Sequence, residues 1–119
     1  MGDTTLEHTA WNWETTPREQ IAAGISRQMI HGERLMICRL TLAPGTPTPP
    51  HSHHHEQVTI VERGRVRFTL GSEERIFGPG DVILLPGGIW HGATMLEEEV
   101  VLLDIFSPIR QDFLKPTTS

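Results

Sequence analysis

Cysteine occurs once in these 119 residues, at Cys38, so no internal disulfide can close and no thiolate zinc cluster can form. Any metal held by this chain must therefore rest on imidazole, carboxylate or amide groups. Lysine is equally scarce. Lys115, near the C-terminus, is the only one, which sets aside a Schiff-base mechanism. The remaining basic residues are arginines scattered along a chain of formal net charge −5, a pattern that argues against a nucleic-acid or anionic-membrane partner. No apolar run approaches the ~20 residues that span a bilayer. The opening MGDTTLEHTAW has neither the basic head nor the apolar middle of a secretory signal, so a cytoplasmic location is expected.

A chain of this length suits one domain with one core. Eleven glycines and nine prolines cut it into short pieces, between which apolar residues recur with period two. In RVRFTL, Val66, Phe68 and Leu70 share one face of a strand and Arg65, Arg67 and Thr69 the other. Strands are expected at residues 24–30, 35–43, 57–63, 65–70, 75–77, 82–85, 91–96 and 99–106, which makes an all-β sandwich or closed barrel. Only TPREQIAA, residues 16–23, reads as locally helical, with Thr16 before Pro17 as a helix cap. The expected layout is an N-terminal arm at 1–23, a β-barrel at 24–114 and a loose tail at 115–119. Trp11 and Trp13 in the arm need covering, either by the outside of the barrel or by a second subunit. Val58 and Ile60 alternate with Gln57 and Thr59, so both faces of that strand ask for burial, which favours a homodimer.

The stretch HSHHHEQVTIVERG, 51–64, places four of the seven histidines within five positions, inside the chain and next to an expected strand. On an extended strand His51, His53 and Gln57 project to one side, giving two imidazoles and an amide oxygen suited to Zn, Ni, Mn, Fe or Co. Strand parity also admits His55, whereas His54 and Glu56 face away unless a bulge intervenes. A second segment, GDVILLPGGIWH, delivers His91 after a tight Pro-Gly-Gly turn.

The first segment reads Gly45, five residues, His51, Ser52, His53, three residues, Gln57, six residues, Gly64. The second reads Gly80, five residues, Pro86, one residue, Gly88, two residues, His91. This pair resembles the two motifs of the cupin superfamily, over residues 45–95. The resemblance implies a jelly-roll β-barrel holding one divalent transition metal on His51, His53, Gln57 and His91. The sequence departs from the pattern twice: Gln57 stands where a glutamate ligand is usual, and Met95 where an asparagine often follows the last histidine. An amide in place of a carboxylate leaves the site one unit more positive, strengthening its pull on an anionic ligand.

A second anomaly lies in EVVLLDIFSPIRQDF, where Asp104 interrupts an apolar strand and shares its face with Leu102 and Phe106. An inward carboxylate is costly unless it is paired, metal-bound or functional. A salt bridge to a nearby arginine, or a face that is simply wet, is the plain structural explanation. This ending, with HSHHHEQ, resembles the small cupins of pectin degradation, which open the ring of 4,5-unsaturated uronates released by polysaccharide lyases. That resemblance extends over residues 24–114 and implies that Asp104, Phe106 and Arg110 line the substrate pocket. Asp104 would then act as general acid or base, Arg110 would fork onto a carboxylate of the sugar, and Phe106 would wall the cavity. Alternatively, Arg110 points outward after its proline turn. Because cupins carry many chemistries, a polyketide cyclase, an iron-dependent dioxygenase and a non-catalytic small-ligand binder stand as alternatives.

Overall fold

The computed structural model describes residues 9–114. The expected tail at 115–119, with Lys115, and the first eight residues of the arm lie outside them. Ten strands run in chain order: β1 (Glu19–Ala22), β2 (Ile25–His31), β3 (Met36–Leu42), β4 (Pro47–His51), β5 (Glu56–Arg63), β6 (Val66–Leu70), β7 (Glu73–Phe77), β8 (Val82–Leu85), β9 (His91–Met95) and β10 (Val100–Ser107). One helical turn, α1 (Gln111–Leu114), follows. They form two antiparallel sheets, ordered β1-β2-β3-β10-β5-β8 and β4-β9-β6-β7, packed face to face as a jelly-roll. No helix among the described residues is long and apolar enough to cross a membrane.

Each expected strand is present within one or two residues of its expected bounds, because alternation fixes which residues meet across the interior. On β10, Leu102, Asp104 and Phe106 are buried and Leu103 and Ile105 only partly so. The core between the sheets is built from Leu42, Val61, Ile83, Leu85, Val100 and Leu102 on one side and Val66, Phe68, Phe77, Ala93 and Met95 on the other. A full burial of such a side chain contributes roughly 1.5–3 kcal/mol. Moving along β10 toward its end, the facing residues change from this apolar set to Asp104 beside Thr59, then Phe106 beside Gln57.

Two elements differ from expectation. Residues 16–23 are not helical. Thr16 Oγ1 donates to Asn12 O at 2.7 Å instead of capping a helix, and β1 then runs antiparallel to β2, with Glu19 opposite Arg27. So short a segment cannot hold a helix alone, whereas sheet pairing satisfies its backbone and adds the Glu19–Arg27 ion pair. The strand β4 was hidden in PGTPTPP. It forms the edge of the four-stranded sheet, with a register shift between Thr48 and His51, and an edge is where prolines lacking N–H groups are tolerated.

The arm lies against the outer face of the large sheet. Gln28, on that face, is 3% exposed and donates to the carbonyls of Trp13 and Thr16 at 2.5 and 2.9 Å. The barrel's own outside thus receives the arm, although Trp11 stays half exposed. Farther across the same face, Val58 and Ile60 are half-buried, and Val82 and Leu84 are 62% and 59% exposed.

Candidate metal centre and cavity

The imidazoles come from three separate pieces of backbone. His51 ends β4 and sits directly opposite His91, which begins β9. His53 lies in the connection that carries the chain to the other sheet, and Gln57 is the second residue of β5. The expectation that one extended strand aligns His51, His53 and Gln57 is therefore corrected: the chain leaves β4 after His51, bends at residues 54–55 and enters β5 at Glu56, so His53 lies in neither strand. The second segment holds the bend in place. Gly88 N donates to His53 O at 2.7 Å, and a Cβ on Gly87 would collide with the carbonyl of His54, so only glycine allows this approach.

One ring nitrogen from each of His51, His53 and His91 lies within 4.8 Å of the others. The opposite nitrogens are all occupied by main chain. Nδ1 of His51 meets Pro49 O at 3.1 Å, Nδ1 of His53 meets His55 O at 3.0 Å and Nδ1 of His91 meets Ile89 O at 3.0 Å. A carbonyl only accepts, so each Nδ1 carries the proton and each Nε2 presents a lone pair. Burial holds His53 and His91 below the usual imidazole range, aided at both by the Arg110 charge, which favours the neutral rings.

The fourth donor is oriented by a chain of hydrogen bonds. Thr59 Oγ1 donates to Asp104 Oδ1 at 2.7 Å, so it must accept from Gln57 Nε2, at 2.8 Å. That fixes the Gln57 amide with Oε1 aimed at His53 Nε2, 3.0 Å away. Two lone-pair atoms face each other there, an arrangement that is repulsive until a cation lies between them. This pairing, with three converging imidazoles, fits a divalent transition metal on His51, His53, Gln57 and His91.

His55, admitted by strand parity, is not part of this group. It is 7% exposed, stacks on His54 with ring centroids 3.9 Å apart, and its Nδ1 has no hydrogen-bond partner among the described residues. His54 and Glu56 are exposed, as parity expects.

Beside the histidines opens a cavity of about 180 Å³. His51, Gln57 and His91 line it together with Asp104, Phe106 and Arg110, among Leu40, Leu42, Phe68 and Met95. Asp104 makes no salt bridge among the described residues. Burial pushes its carboxyl up to about 6, against the opposing pull of hydrogen bonds from Thr59 and Gln57. Phe106 is 3% exposed, its ring edge-on to His53 at 5.7 Å. Arg110 is turned inward, not outward: its side chain is 11% exposed and its guanidinium lies 5.1 Å from the Phe106 ring centre.

Three contributors were missed in the sequence. Thr59 links the carboxylate to the amide. Cys38, opposite Asp104 on β3, lines the cavity with a thiol that burial and the Asp104 charge push up to about 12, which keeps it inert. Arg27 lines the cavity from β2. It shares a face with Ile25 and Met29, so the polar interruption that singled out Asp104 was also legible here.

The Cupin domain family matches residues 38–106. Among curated proteins, the pectin degradation protein KdgF of Dickeya dadantii (strain 3937) is 36% identical over 104 residues, 85% of this chain and 94% of that one. Among solved structures, KdgF from Halomonas sp. superposes with a TM-score of 0.86 at 29% identity, over 90% of this chain and 99% of its own. An RmlC-like cupin from Shewanella frigidimarina NCIMB 400 superposes with a TM-score of 0.83 at 31% identity, over 91% and 96%.

Proposed function

Because this chain belongs to the cupin family, we propose that it is a metal-dependent enzyme of small sugar acids that opens the ring of 4,5-unsaturated uronates. The observation that carries this reading is the unbroken link from Asp104 through Thr59 and Gln57 to the imidazole cluster, beside a cavity that also holds Arg110. The similarity to a protein of pectin degradation over 85% of the chain supports the same substrate class.

His51, His53, Gln57 and His91 would hold the metal, which when bound supplies Lewis acidity toward an oxygen of the ligand. Opening such a ring requires a proton delivered to the double bond and one withdrawn from an oxygen. A carboxyl pushed up to about 6 populates both protonation states near neutrality, which suits Asp104 to both transfers. Arg110 offers the guanidinium that orients the substrate carboxylate, and Phe106 walls the cavity and excludes water from it. The inward arginine and the buried carboxylate favour a sugar acid over the apolar substrate of a polyketide cyclase.

The test follows the ultraviolet absorbance of the double bond conjugated to its carboxylate in unsaturated galacturonate or mannuronate. Metal-loaded protein is expected to abolish it. Asp104→Asn is expected to lower the rate about 10²–10⁴-fold, the usual worth of a general acid or base, with metal content unchanged. Unchanged absorbance with metal-loaded wild-type protein contradicts the reading.

On the outer face of the large sheet, the uncovered strip around Val82 and Leu84 is read as the seat of a second copy of this chain, since it continues the face already covered by the arm. Sedimentation at micromolar concentration is expected to give a dimer that Leu84→Glu converts to monomer. A monomeric wild-type protein removes this part.

A further inference from the structure

The inner face of β2 carries a cation that the steps above do not use. Arg27 lies between Ile25 and Met29 on the interior side of its strand, and its side chain is 12% exposed. Glu19 on β1, 52% exposed, accepts at Oε1 from both Nε and Nη2 of Arg27, at 3.0 and 2.7 Å. Arg110, just beyond the end of β10, is built the same way. Asp112, 54% exposed, accepts from its Nε and Nη2 at 3.0 and 2.7 Å. Both guanidiniums rest against one ring, with Arg27 at 4.5 Å and Arg110 at 4.1 Å from the centre of Phe113.

In each pair the cation is the buried member and the carboxylate the exposed one. Such a pair presents its positive end to the cavity and its negative end to water, the reverse of an arginine that reaches out from a surface. In each, the Nε/Nη2 edge is occupied and the Nη1 group has no protein hydrogen-bond partner among the described residues. Two cations against one aromatic ring repel each other, and an anion within reach of both lessens that repulsion while gaining charge-assisted hydrogen bonds.

We propose that Arg27, held by Glu19, is a second carboxylate-recognising residue of this cavity and closes with Arg110 on the acid group of the sugar. This rests on the sugar-acid reading above and adds a specificity determinant from a strand outside the metal-binding segments. Arg27 makes the cavity select acids over their neutral esters.

Two measurements test it. In the first, D-galacturonate, the saturated acid, is titrated calorimetrically into metal-loaded wild-type protein and Arg27→Gln. The variant is expected to bind at least tenfold more weakly, Arg27→Lys to recover part of the loss, and Glu19→Gln to lose severalfold as the clamp loosens. In the second, KM and kcat are measured for unsaturated galacturonate and its methyl ester. Arg27→Gln is expected to raise KM for the acid about tenfold with kcat little changed, and esterification to cost the variant less than it costs the wild type. Equal galacturonate binding by wild type and Arg27→Gln, or an equal ester penalty in both, overturns the proposal, as does a wild-type protein that binds no galacturonate. Galacturonate binding through Arg27 without turnover of either unsaturated uronate upholds the clamp and sinks the ring-opening reading.

Discussion

The two ends of the barrel interior are lined by the same strands yet do opposite work. At one end β5, β6 and β10 bring Val61, Val66 and Val100 together at 1% exposure or less, as part of the apolar core. At the other, the same β10 presents Asp104 and its neighbour β5 presents Gln57 and Thr59, all three buried. Burying such groups is tolerated because each hydrogen bond of the chain from Asp104 to Gln57 satisfies the next group, and the last atom faces a cluster of imidazoles. One end supplies folding free energy, and the other spends part of it on holding unpaired lone pairs and a buried carboxyl in place.

Substitutions at the two ends should therefore separate function from stability. His53→Ala removes a ligand from the polar end, and metal affinity is expected to fall by about 100-fold or more, turnover falling with it, while the metal-free protein melts near the wild-type temperature. Metal analysis after dialysis and differential scanning calorimetry check both halves. Phe77→Ala leaves a void at the apolar end, away from the cavity, and is expected to cost about 3–5 kcal/mol of stability while the folded protein keeps its metal. Loss of metal from Phe77→Ala under folding conditions would erase the contrast between the ends.

The smallest expected effect sharpens the comparison through pH. The folded protein holds the Asp104 carboxyl at about 6, above its ordinary range near 3.8, so folding favours the protonated form. Its contribution is fully present below the ordinary carboxylate pKa and is lost as pH rises through about 6, because the ionised group is then buried without a cation. Metal-free wild-type protein should therefore lose stability relative to Asp104→Asn between pH 4 and 8, by on the order of 2 kcal/mol at ~1.4 kcal/mol per pKa unit. Denaturant melts at the two pH values check it, and a gap that does not widen with pH places the carboxyl in a better-solvated position than the fold gives it.

The residues explain what was readable in advance. Period-two alternation identified the interior face of β10 and hence Asp104, since the rule depends only on the neighbours along one strand. The motif spacings picked out His51, His53, Gln57 and His91, but not how they meet. His53 arrives through a bend fixed by Gly87 and Gly88 from a distant segment, a contact that no local pattern contains. The edge strand β4 was masked by prolines that edge position alone excuses. β1 was masked because its extended form depends on β2, and with it went the Glu19–Arg27 pair that places a second cation at the cavity.

Crystals grown with nickel or zinc and measured at the metal absorption edge test the central claim most directly. The account predicts a single anomalous peak at bonding distance from Nε2 of His51, His53 and His91 and from Oε1 of Gln57. A peak held by His54 and His55 instead, or no peak with the three rings turned apart, would contradict it.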